Sequence, residues 1–461
     1  MAYTTINNGR LYFNTKLYTG NGGTNAITGV GFQPDMTWLK NRDTTNDHEL
    51  FDAVRGATET IYPNRTDAEY TNSSGLTTFG SDGFTVGAGD ALNKSSSGIA
   101  AWNWIGAGTA PSKTYAVTVV SDSGNKYRFD GYGTSAVTLE ISEGGTYTFD
   151  QSDSSNSGHP LRFSTTSNGT HGGGSEYTTG VTTSGTPGNA GAYTRITVAA
   201  SAPTLYYYCT QHSGMGGQAN TPTTNSFSNF AGSIQTNISP NSAAGFSIIS
   251  YTGTGANATV GHGLGSAPRM MLFKNLDEGA EGWFVYHESL GNTKKLNLDS
   301  TAAESASSTF YQDTSPTSSV FSVGSNHGPN GPDAMICYAF AEKQGYSKFG
   351  SYVGNGNASG TFIYLGFKPA FVLFKNTGNG AVAWYMFDNK RNGYNTDNKS
   401  LRPNSSDTEA TASSYPLDIL CNGFKLLSTN NEVNGSGDTY IYMAFAENPF
   451  TSSTGTPVTA R

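Results

Sequence analysis

The sequence predicts an all-β protein made of tandem β-sandwich repeats, with a further β domain inserted into the series. Three observations predict this fold class: a composition typical of short strands and turns, an internal repeat, and one long segment that lacks the repeat. The chain of 461 residues contains 58 Gly, 26 Tyr and 25 Phe, and only 13% of its residues are charged. Its short apolar runs end at Gly, Asn or Pro, as strands joined by tight turns do. This length favours two to four domains.

One sequence motif occurs three times. It begins with Tyr-Thr-Gly or Tyr-Val-Gly at residues 18–20, 251–253 and 352–354. Each copy continues with a Pro and, six positions later, a Lys-Asn pair, at residues 34–41, 268–275 and 369–376. Each copy ends in an aromatic strand, at residues 101–104, 337–342 and 443–447. Such repetition predicts one structural unit that is used three times.

The spacing of the copies locates an insertion. The second and third copies start 101 residues apart, whereas the first and second start 233 residues apart. Domain insertion is tolerated where chain termini lie close together at the surface, and both junctions here are polar and turn-forming. The predicted domains are 1–112 (first repeat), 113–222 (inserted domain), 223–248 (a return linker or a strand that completes or follows the first repeat), 249–345 (second repeat) and 346–461 (third repeat and C-terminal tail).

Four residues of the inserted segment form a candidate metal-binding set. Cys209, His212 and Met215 follow the aromatic run 205–208, which alternates as a strand, and His159 precedes a second alternating run. A thiolate, two imidazoles and a weak axial thioether are the ligands of a blue-copper site, because soft sulfur and imidazole select copper over hard cations. Copper is therefore the predicted cofactor, and zinc or an empty site is the alternative.

The segment 113–222 resembles the cupredoxins, the plastocyanin and amicyanin family. The spacing Cys-x-x-His-x-x-Met and the Tyr-Tyr before Cys209 carry the resemblance. The resemblance implies a Greek-key sandwich in which His159, Cys209 and His212 set the copper plane and Met215 is axial. Pro160 departs from the family, whose first His is usually followed by an Asn that helps to hold the Cys loop. Residues 216–221 show no apolar alternation, so no closing strand is expected there.

Other residue types have simpler interpretations. Lys40, Lys274 and Lys375 end strands, and we expect them to be solvated, with lectin-like contacts as the alternative. The five tryptophans are expected to pack inside sheets, although an exposed one would stack on a sugar. His48 and His287, at similar repeat positions, are expected to form hydrogen bonds at strand ends. Cys337 and Cys421 are interpreted as small buried hydrophobic residues, without disulfides.

Several function classes are disfavoured. The formal net charge of −8, without a basic cluster, argues against nucleic-acid binding. No apolar segment approaches the roughly 20 residues that span a bilayer, so no membrane partner is expected. The first ten residues lack the apolar core of a signal peptide. No nucleophile, paired-carboxylate arrangement or nucleotide motif accompanies His48, His262 or His287, so we expect no enzymatic activity and no catalytic residues.

The repeated unit resembles bacteriophage virion proteins common among marine phages. The resemblance is carried by residues 18–42, by Leu-Phe-Asp-Ala-Val-Arg-Gly at 50–56, and by residues 440–450. It implies a structural protein of the virion, assembled in the host cytoplasm and exposed as a tail appendage, fibre or capsid-surface component. Its implied partners are other virion proteins and a host-surface glycan. By analogy with phage appendages, a homo-oligomer is expected.

Three functions therefore stand as hypotheses. The first is a virion surface protein, involved in particle architecture or host attachment, whose inserted domain binds copper. The second is a soluble copper electron-transfer protein. The third is a carbohydrate-binding adhesin.

Overall fold

The computed structural model describes residues 4–108, 110–411 and 414–449, and the predicted all-β fold class is confirmed. Three parts of the sequence on which predictions were made lie outside these ranges: the first three residues of the segment considered for a signal peptide, Phe450 of the segment 440–450, and the tail 451–461. Helical structure within them consists of single turns: Gly9–Leu11, Asp90–Asn93, Ser154–Asn156, Gly169–Gly172, Glu288–Leu290, Ser308–Tyr311, His327–Asn330 and Asn431–Asn434. No helix in the described part of the chain has the length and apolar character that a membrane crossing requires.

The chain forms two compact units. The repeat unit comprises the residues up to Gly106, Asn241–Asn257 and the residues from Leu264 onward. The second unit, here called the module, comprises Ala107–Pro240 and Ala258–Gly263. This division differs from the predicted boundaries 113–222 and 223–248. The reason is that residues following 222 complete the module: the Tyr115 hydroxyl donates to the Ser228 carbonyl at 2.7 Å, and Phe230 packs in the module core.

Each repeat contains four main antiparallel strands, named here in chain order. The first strands are Phe13–Thr19, Phe246–Thr252 and Ser347–Val353. The lysine strands are Met36–Asn41, Met270–Asn275 and Phe367–Asn376. The return strands are Glu49–Asp52, Phe284–His287 and Trp384–Asp388. The closing strands are Gly98–Trp104, Ala334–Phe340 and Thr439–Pro449, and each lies between the first and lysine strands of its repeat.

Shorter strands complete the repeats. Those of repeat 1 are Asn25–Thr28, Gly56–Ile61, Tyr70–Thr71, Leu76–Gly80 and Gly83–Val86. Those of repeat 2 are Lys294–Asn297, Ser305–Ala306 and Val320–Val323. Those of repeat 3 are Phe362–Tyr364, Lys399–Ser400, Ala410–Thr411, Leu417–Leu420 and Gly423–Leu426. Repeats 1 and 3 also share a Gly-Phe pair, at residues 83–84 and 423–424. The glycine has a steric cause, because a Cβ on Gly83 or Gly423 would lie 2.0 Å from a carbonyl oxygen of the paired strand.

The three repeats share one hydrophobic core. Its centre is an aromatic cluster in which Phe13 and Trp104 of repeat 1 both contact Phe371 and Phe445 of repeat 3, and Trp104 also contacts Phe340 of repeat 2. Phe340 and Phe445 also contact each other, with ring centroids 5.9 Å apart. The repeats are therefore not separately folded tandem domains, because each one buries its apolar face against the other two.

Equivalent backbone hydrogen bonds join the repeats in cyclic order. The N–H of Glu69 in repeat 1 donates to the Leu276 carbonyl of repeat 2. The N–H of Glu304 in repeat 2 donates to the Thr377 carbonyl of repeat 3, and that of Glu409 in repeat 3 donates to the Arg42 carbonyl of repeat 1. All three N···O distances are 2.8 Å. This equivalence shows that the three copies are arranged about a pseudo-threefold axis.

The side chains at the last position of each return strand also join the repeats by hydrogen bonds, one for each pair of repeats. The Tyr338 hydroxyl of repeat 2 donates to Asp52 Oδ2 of repeat 1 at 2.5 Å, and Trp102 Nε1 of repeat 1 donates to Asp388 Oδ2 of repeat 3 at 3.0 Å. His287 occupies the equivalent place in repeat 2, with its Nε2 3.1 Å from the Tyr442 carbonyl oxygen of repeat 3. Burial lowers the pKa of His287 to about 4, so the ring is neutral and its Nε2–H donates.

Several residue-level expectations are corrected. Lys40, Lys274 and Lys375 are not solvated but fully buried. Cys421 is exposed, whereas Cys337 is buried as predicted. All five tryptophans are buried, so they serve packing as expected. His48 and His287 do not occupy equivalent positions: Met36 pairs with Asp52, whereas Met270, at the same place in repeat 2, pairs with His287.

The module is a sandwich of two five-stranded sheets around one core. The first sheet has the order Asn125–Phe129, Ser112–Ser121, Thr146–Asp150, Tyr193–Thr197, Val181–Ser184. The second has the order Leu139–Glu140, Gly217–Asn220, Leu205–Cys209, Leu161–Ser164, Glu176–Tyr177. Further strands are Phe227–Asn229, Thr236–Asn241 and Ala258–Gly261. The expectation that no strand follows Met215 is wrong, because Gly217–Asn220 pairs with Leu205–Cys209.

Candidate metal centre

Two neighbouring strands of the second module sheet position the first ligands. Cys209 is the last residue of its strand and pairs with Leu161, the first residue of the antiparallel neighbour. His159 lies two residues before Leu161, so it reaches the same end of the sheet as Cys209. His212 follows in the turn after Cys209, which brings its ring back to that point.

The structure brings His159, Cys209 and His212 together. Cys209 Sγ lies 3.9 Å from His159 Nδ1 and 3.7 Å from His212 Nδ1. The two imidazole rings have centroids 4.5 Å apart, and a ligand atom from each of the three residues lies within 4.8 Å of the others.

These distances fit a metal bound by sulfur and nitrogen. Bonds of roughly 2.0 Å to nitrogen and 2.3 Å to sulfur, at tetrahedral to trigonal angles, separate the two ligand atoms by about 3.5–3.8 Å. The donor set is the one that trigonal copper sites use, and the Nδ1 atoms face the sulfur in both histidines. His159, Cys209 and His212 therefore fit a copper ion by geometry and by chemistry.

Exposure is graded across the three ligands. Cys209 is fully buried, His159 is half-buried and His212 is exposed. Burial, and then the neighbouring His212, lowers the pKa of His159. A lower pKa keeps the imidazole neutral at physiological pH, and only the neutral ring has a lone pair for a metal.

Met215 lies close by in the chain and in the core. It is 1% exposed and belongs to the same apolar cluster as Cys209. Its carbonyl oxygen accepts a hydrogen bond from the Tyr127 N–H at 3.0 Å, which fixes the backbone of the loop. Its role as an axial ligand stays a prediction.

Hydrogen bonds to its carbonyl hold His159 in place. Its carbonyl oxygen accepts from the Tyr127 hydroxyl at 2.9 Å and from Gln151 Nε2 at 2.8 Å. The side-chain oxygen of Gln151 also accepts from the Leu161 N–H, so one side chain holds the backbone at both His159 and Leu161. Supporting contacts of this kind orient metal ligands. Sequence reasoning missed Tyr127 and Gln151, which lie in the other sheet or beside it.

Asn168 holds the loop that follows Cys209. Its Nδ2 donates to Ser213 Oγ, and its Oδ1 accepts from the Gly214 N–H, both at 2.8 Å. The Pro160 carbonyl accepts from the Thr210 N–H at 3.1 Å. Asn168 thus supports the loop after Cys209, which in the cupredoxins is helped by an Asn at the position that Pro160 occupies here. The available sequence signal was the turn-forming Ser-Asn-Gly at 167–169, where Asn168 is left-handed with φ 60°.

A second group of metal-ligand atoms lies in repeat 2. Glu278, His327 and Asp333 bring a nitrogen and two carboxylate oxygens within 4.8 Å of one another. None of the three is buried, and Asp333 already accepts a hydrogen bond from Asn275 at 2.9 Å. Sequence reasoning did not select this group, and its arrangement is that of a solvated surface cluster.

Comparison with protein families found a match that covers most of the chain. Residues 8–147 and 218–449, more than half of the chain, match the domain of unknown function DUF7483. The chain belongs to the DUF7483 family. Comparisons with curated proteins and with solved structures found no match. The DUF7483 match omits residues 148–217, the part of the module that carries His159, Cys209, His212 and Met215.

Proposed function

We propose that this DUF7483 protein is a structural protein of a bacteriophage particle, exposed on a tail appendage, a fibre or the capsid surface, and that its module binds copper. The particle assignment is supported by the sequence resemblance of residues 18–42, 50–56 and 440–450 to virion proteins. Other virion proteins and further copies of the chain are its proposed partners.

The convergence of Cys209 Sγ with two histidine Nδ1 atoms carries the copper part of the proposal. His159, Cys209 and His212 would hold the ion, and Met215 would supply a further, weak thioether ligand. Bound copper supplies one-electron redox chemistry. The chain's own contribution is to bury the thiolate and to fix by hydrogen bonds the backbone of the loops that carry both histidines.

Spectroscopy of the full chain tests the metal site. Apoprotein titrated with Cu²⁺ should develop the intense blue thiolate-to-copper absorption with a stoichiometry of one copper per chain. Cys209→Ser should abolish the blue band because it removes the only thiolate in the site. Cys421→Ser is the matched control, since it removes an exposed thiol of the repeat unit. A colourless copper complex of the wild-type chain would contradict the proposal.

A second pair of variants separates ligation from general loop damage. His212→Ala should weaken or abolish the blue band, whereas His171→Ala should preserve it. His171 is also exposed and contacts the Cys209 carbonyl oxygen through Nε2 at 3.1 Å, but it is not one of the three clustered ligands. An equal loss of the blue band in both variants would show that damage to the loop, and not removal of a ligand, causes the loss.

The particle assignment needs its own measurement. Peptides of this chain should be found by mass spectrometry in purified phage particles, at the copy number of a structural component. A chain confined to the soluble fraction of infected cells would end that assignment without affecting the copper proposal.

Exposure of His212 favours a second candidate, a copper electron carrier. An exposed ligand gives redox partners a short path to the metal, whereas the buried Cys209 does not. Electron transfer requires copper to cycle reversibly between its two oxidation states without loss of metal. Cyclic voltammetry of the copper-loaded chain that shows irreversible reduction would exclude this candidate.

A further inference from the structure

Repeat 3 contains a polar cavity that the metal centre does not use. It has a volume of about 310 Å³ and lies beside the loop between the return strand and the strand Lys399–Ser400. In repeat 1 only three residues separate the return strand from the next strand, which starts at Gly56. The longer loop of repeat 3 is therefore an addition to the common scaffold, and such loops often carry binding functions.

Two acceptor oxygens at this cavity have no partner within the protein. Asp397 is 2% exposed, and its Oδ1 accepts from the Lys399 N–H at 3.1 Å, but its Oδ2 accepts no hydrogen bond. The buried Oδ1 of Asn389 also has no partner. A buried acceptor without a hydrogen bond destabilises the folded protein, so these oxygens favour a ligand that donates hydrogen bonds.

Donors line the same cavity. Lys368 and Lys390 contribute ammonium groups, and Lys368 Nζ also contacts Glu447 Oε2 at 2.9 Å. Two lysines beside the carboxylates disfavour a divalent cation, and the carboxylates in turn disfavour a phosphate. A ligand that fits must both donate and accept hydrogen bonds while carrying no strong charge.

Tyr394 offers an aromatic surface at the cavity. Its side chain is 75% exposed, although most tyrosines of this repeat are buried in the core. The loop backbone around it is fixed, because Asn392 Nδ2 donates to the Tyr394 and Thr396 carbonyls and Asn395 forms two 2.9 Å bonds with the Ile419 backbone. Because the backbone that carries it is fixed, the exposed ring is offered at the cavity for stacking on the apolar face of a ligand.

We propose that the cavity beside Tyr394 and Asp397 is a carbohydrate-binding site that takes one saccharide unit. Sugar hydroxyls accept from the lysines, and the C–H face of the ring stacks on Tyr394. The unpartnered oxygens of Asp397 and Asn389 are covered in this structure, and small rotations of these side chains let them accept from further hydroxyls. The proposal goes beyond the particle and copper assignments and depends on neither. It gives the chain a site for a glycan ligand within repeat 3.

Saturation-transfer NMR on the full chain tests the site. The probes are methyl glycosides of glucose, galactose, mannose and N-acetylglucosamine, and at least one is expected to receive saturation. Tyr394→Ala should reduce its affinity tenfold or more, because stacking is lost. Tyr364→Ala is the matched control, since Tyr364 is 55% exposed in the same repeat but does not line the cavity, and it should leave affinity unchanged.

A second variant tests the acceptor oxygen. Asp397→Asn replaces the unpartnered acceptor by an NH₂ donor and should also reduce affinity tenfold or more. If that variant fails to fold, the exposed Tyr394→Ala still decides the question. Binding of no glycoside, or binding that survives Tyr394→Ala, would overturn the proposal. Saturable binding of Ca²⁺ that excludes the glycosides would overturn it as well.

Discussion

Three lysines at equivalent positions are buried against backbone carbonyls of a neighbouring repeat. Lys40 Nζ donates to the Ser406 carbonyl of repeat 3 at 3.2 Å, Lys274 Nζ to the Thr66 carbonyl of repeat 1 at 2.9 Å, and Lys375 Nζ contacts the Thr301 carbonyl of repeat 2 at 3.5 Å. Burial lowers the pKa of each ammonium group from 10.5 to about 8. Each lysine thus joins two repeats at the cost of burying a charge.

The buried lysines should make stability rise between pH 7.5 and 9.5. Their folded pKa lies below the unfolded value, so the unfolded chain binds more protons in this window and unfolding becomes less favourable as pH increases. Each pKa unit corresponds to about 1.4 kcal/mol, so the contribution of one lysine is a few kcal/mol at most. Lys375→Met should flatten the rise by roughly a third if the three lysines contribute equally. Urea unfolding followed by tryptophan fluorescence, repeated across this pH range, measures the free energy of unfolding of both chains.

The control for this experiment is Lys94→Met, which removes an exposed lysine of the same unit and should leave the pH dependence unchanged. Lys375 is the most direct choice because burial is the sole cause of its lowered pKa. A wild-type stability that is flat or falling over this pH range would contradict the burial of charged ammonium groups.

Residue chemistry predicted the candidate metal set better than it predicted the burial of the three lysines. The spacing of Cys209 and His212 is local, so a single turn brings them together, and the apolar alternation after His159 identified the partner strand. The burial of Lys40 depends on loops of another repeat more than 300 residues away, which no local pattern reveals. Cys421 was misjudged because it directly follows the apolar residues of the strand Leu417–Leu420, but it lies in the exposed turn after that strand.

Among the elements, the strand Gly217–Asn220 shows how backbone contacts replace an apolar pattern. It pairs with two strands and so lies inside its sheet, yet only Ala219 provides a buried apolar side chain. Gly216 permits this approach, because a Cβ there would lie 1.7 Å from the Tyr207 carbonyl oxygen. Sequence patterns detect alternating side chains and therefore missed a strand defined by close backbone packing.

Gly216→Ala should destabilise the module severely. The added Cβ collides with backbone atoms that cannot move without breaking the pairing of Leu205–Cys209, so the strand that positions Cys209 is lost. We expect a drop of several degrees or more in the module's melting temperature and a weaker blue band with Cu²⁺. Gly133→Ala is the matched control, because a Cβ there meets nothing within 4 Å. Equal melting temperatures for the two variants would refute this account.

At the scale of the whole molecule, sequence repetition predicted the number of copies but not their arrangement. The motif showed that three units exist, and the spacing located the insertion. The cyclic pairing of the repeats depends on contacts such as Tyr338 with Asp52 and Trp102 with Asp388, each across more than 280 residues. The DUF7483 match covers all three repeats but omits 148–217, so the candidate metal ligands lie outside the shared family sequence.

A shared core predicts that the three repeats unfold together. All five tryptophans lie in the repeat unit, with at least one in each repeat, so tryptophan fluorescence reports on the repeats and not on the module. Tyr338→Phe removes the hydroxyl that joins repeat 2 to the Asp52 carboxylate of repeat 1. A hydrogen bond to a charged group contributes about 1.5–3 kcal/mol, and that loss should shift one single transition.

Denaturant unfolding of Tyr338→Phe therefore distinguishes a cooperative three-repeat body from three independent domains. Independent domains would give a fluorescence curve with several steps, of which only those of repeats 1 and 2 respond to the substitution. Tyr207→Phe is the matched control: it removes a buried hydroxyl that donates to the Val137 carbonyl at 2.7 Å inside the module. Because no tryptophan lies in the module, this control should leave the fluorescence transition in place, whereas Tyr338→Phe should move all of it to lower denaturant concentration.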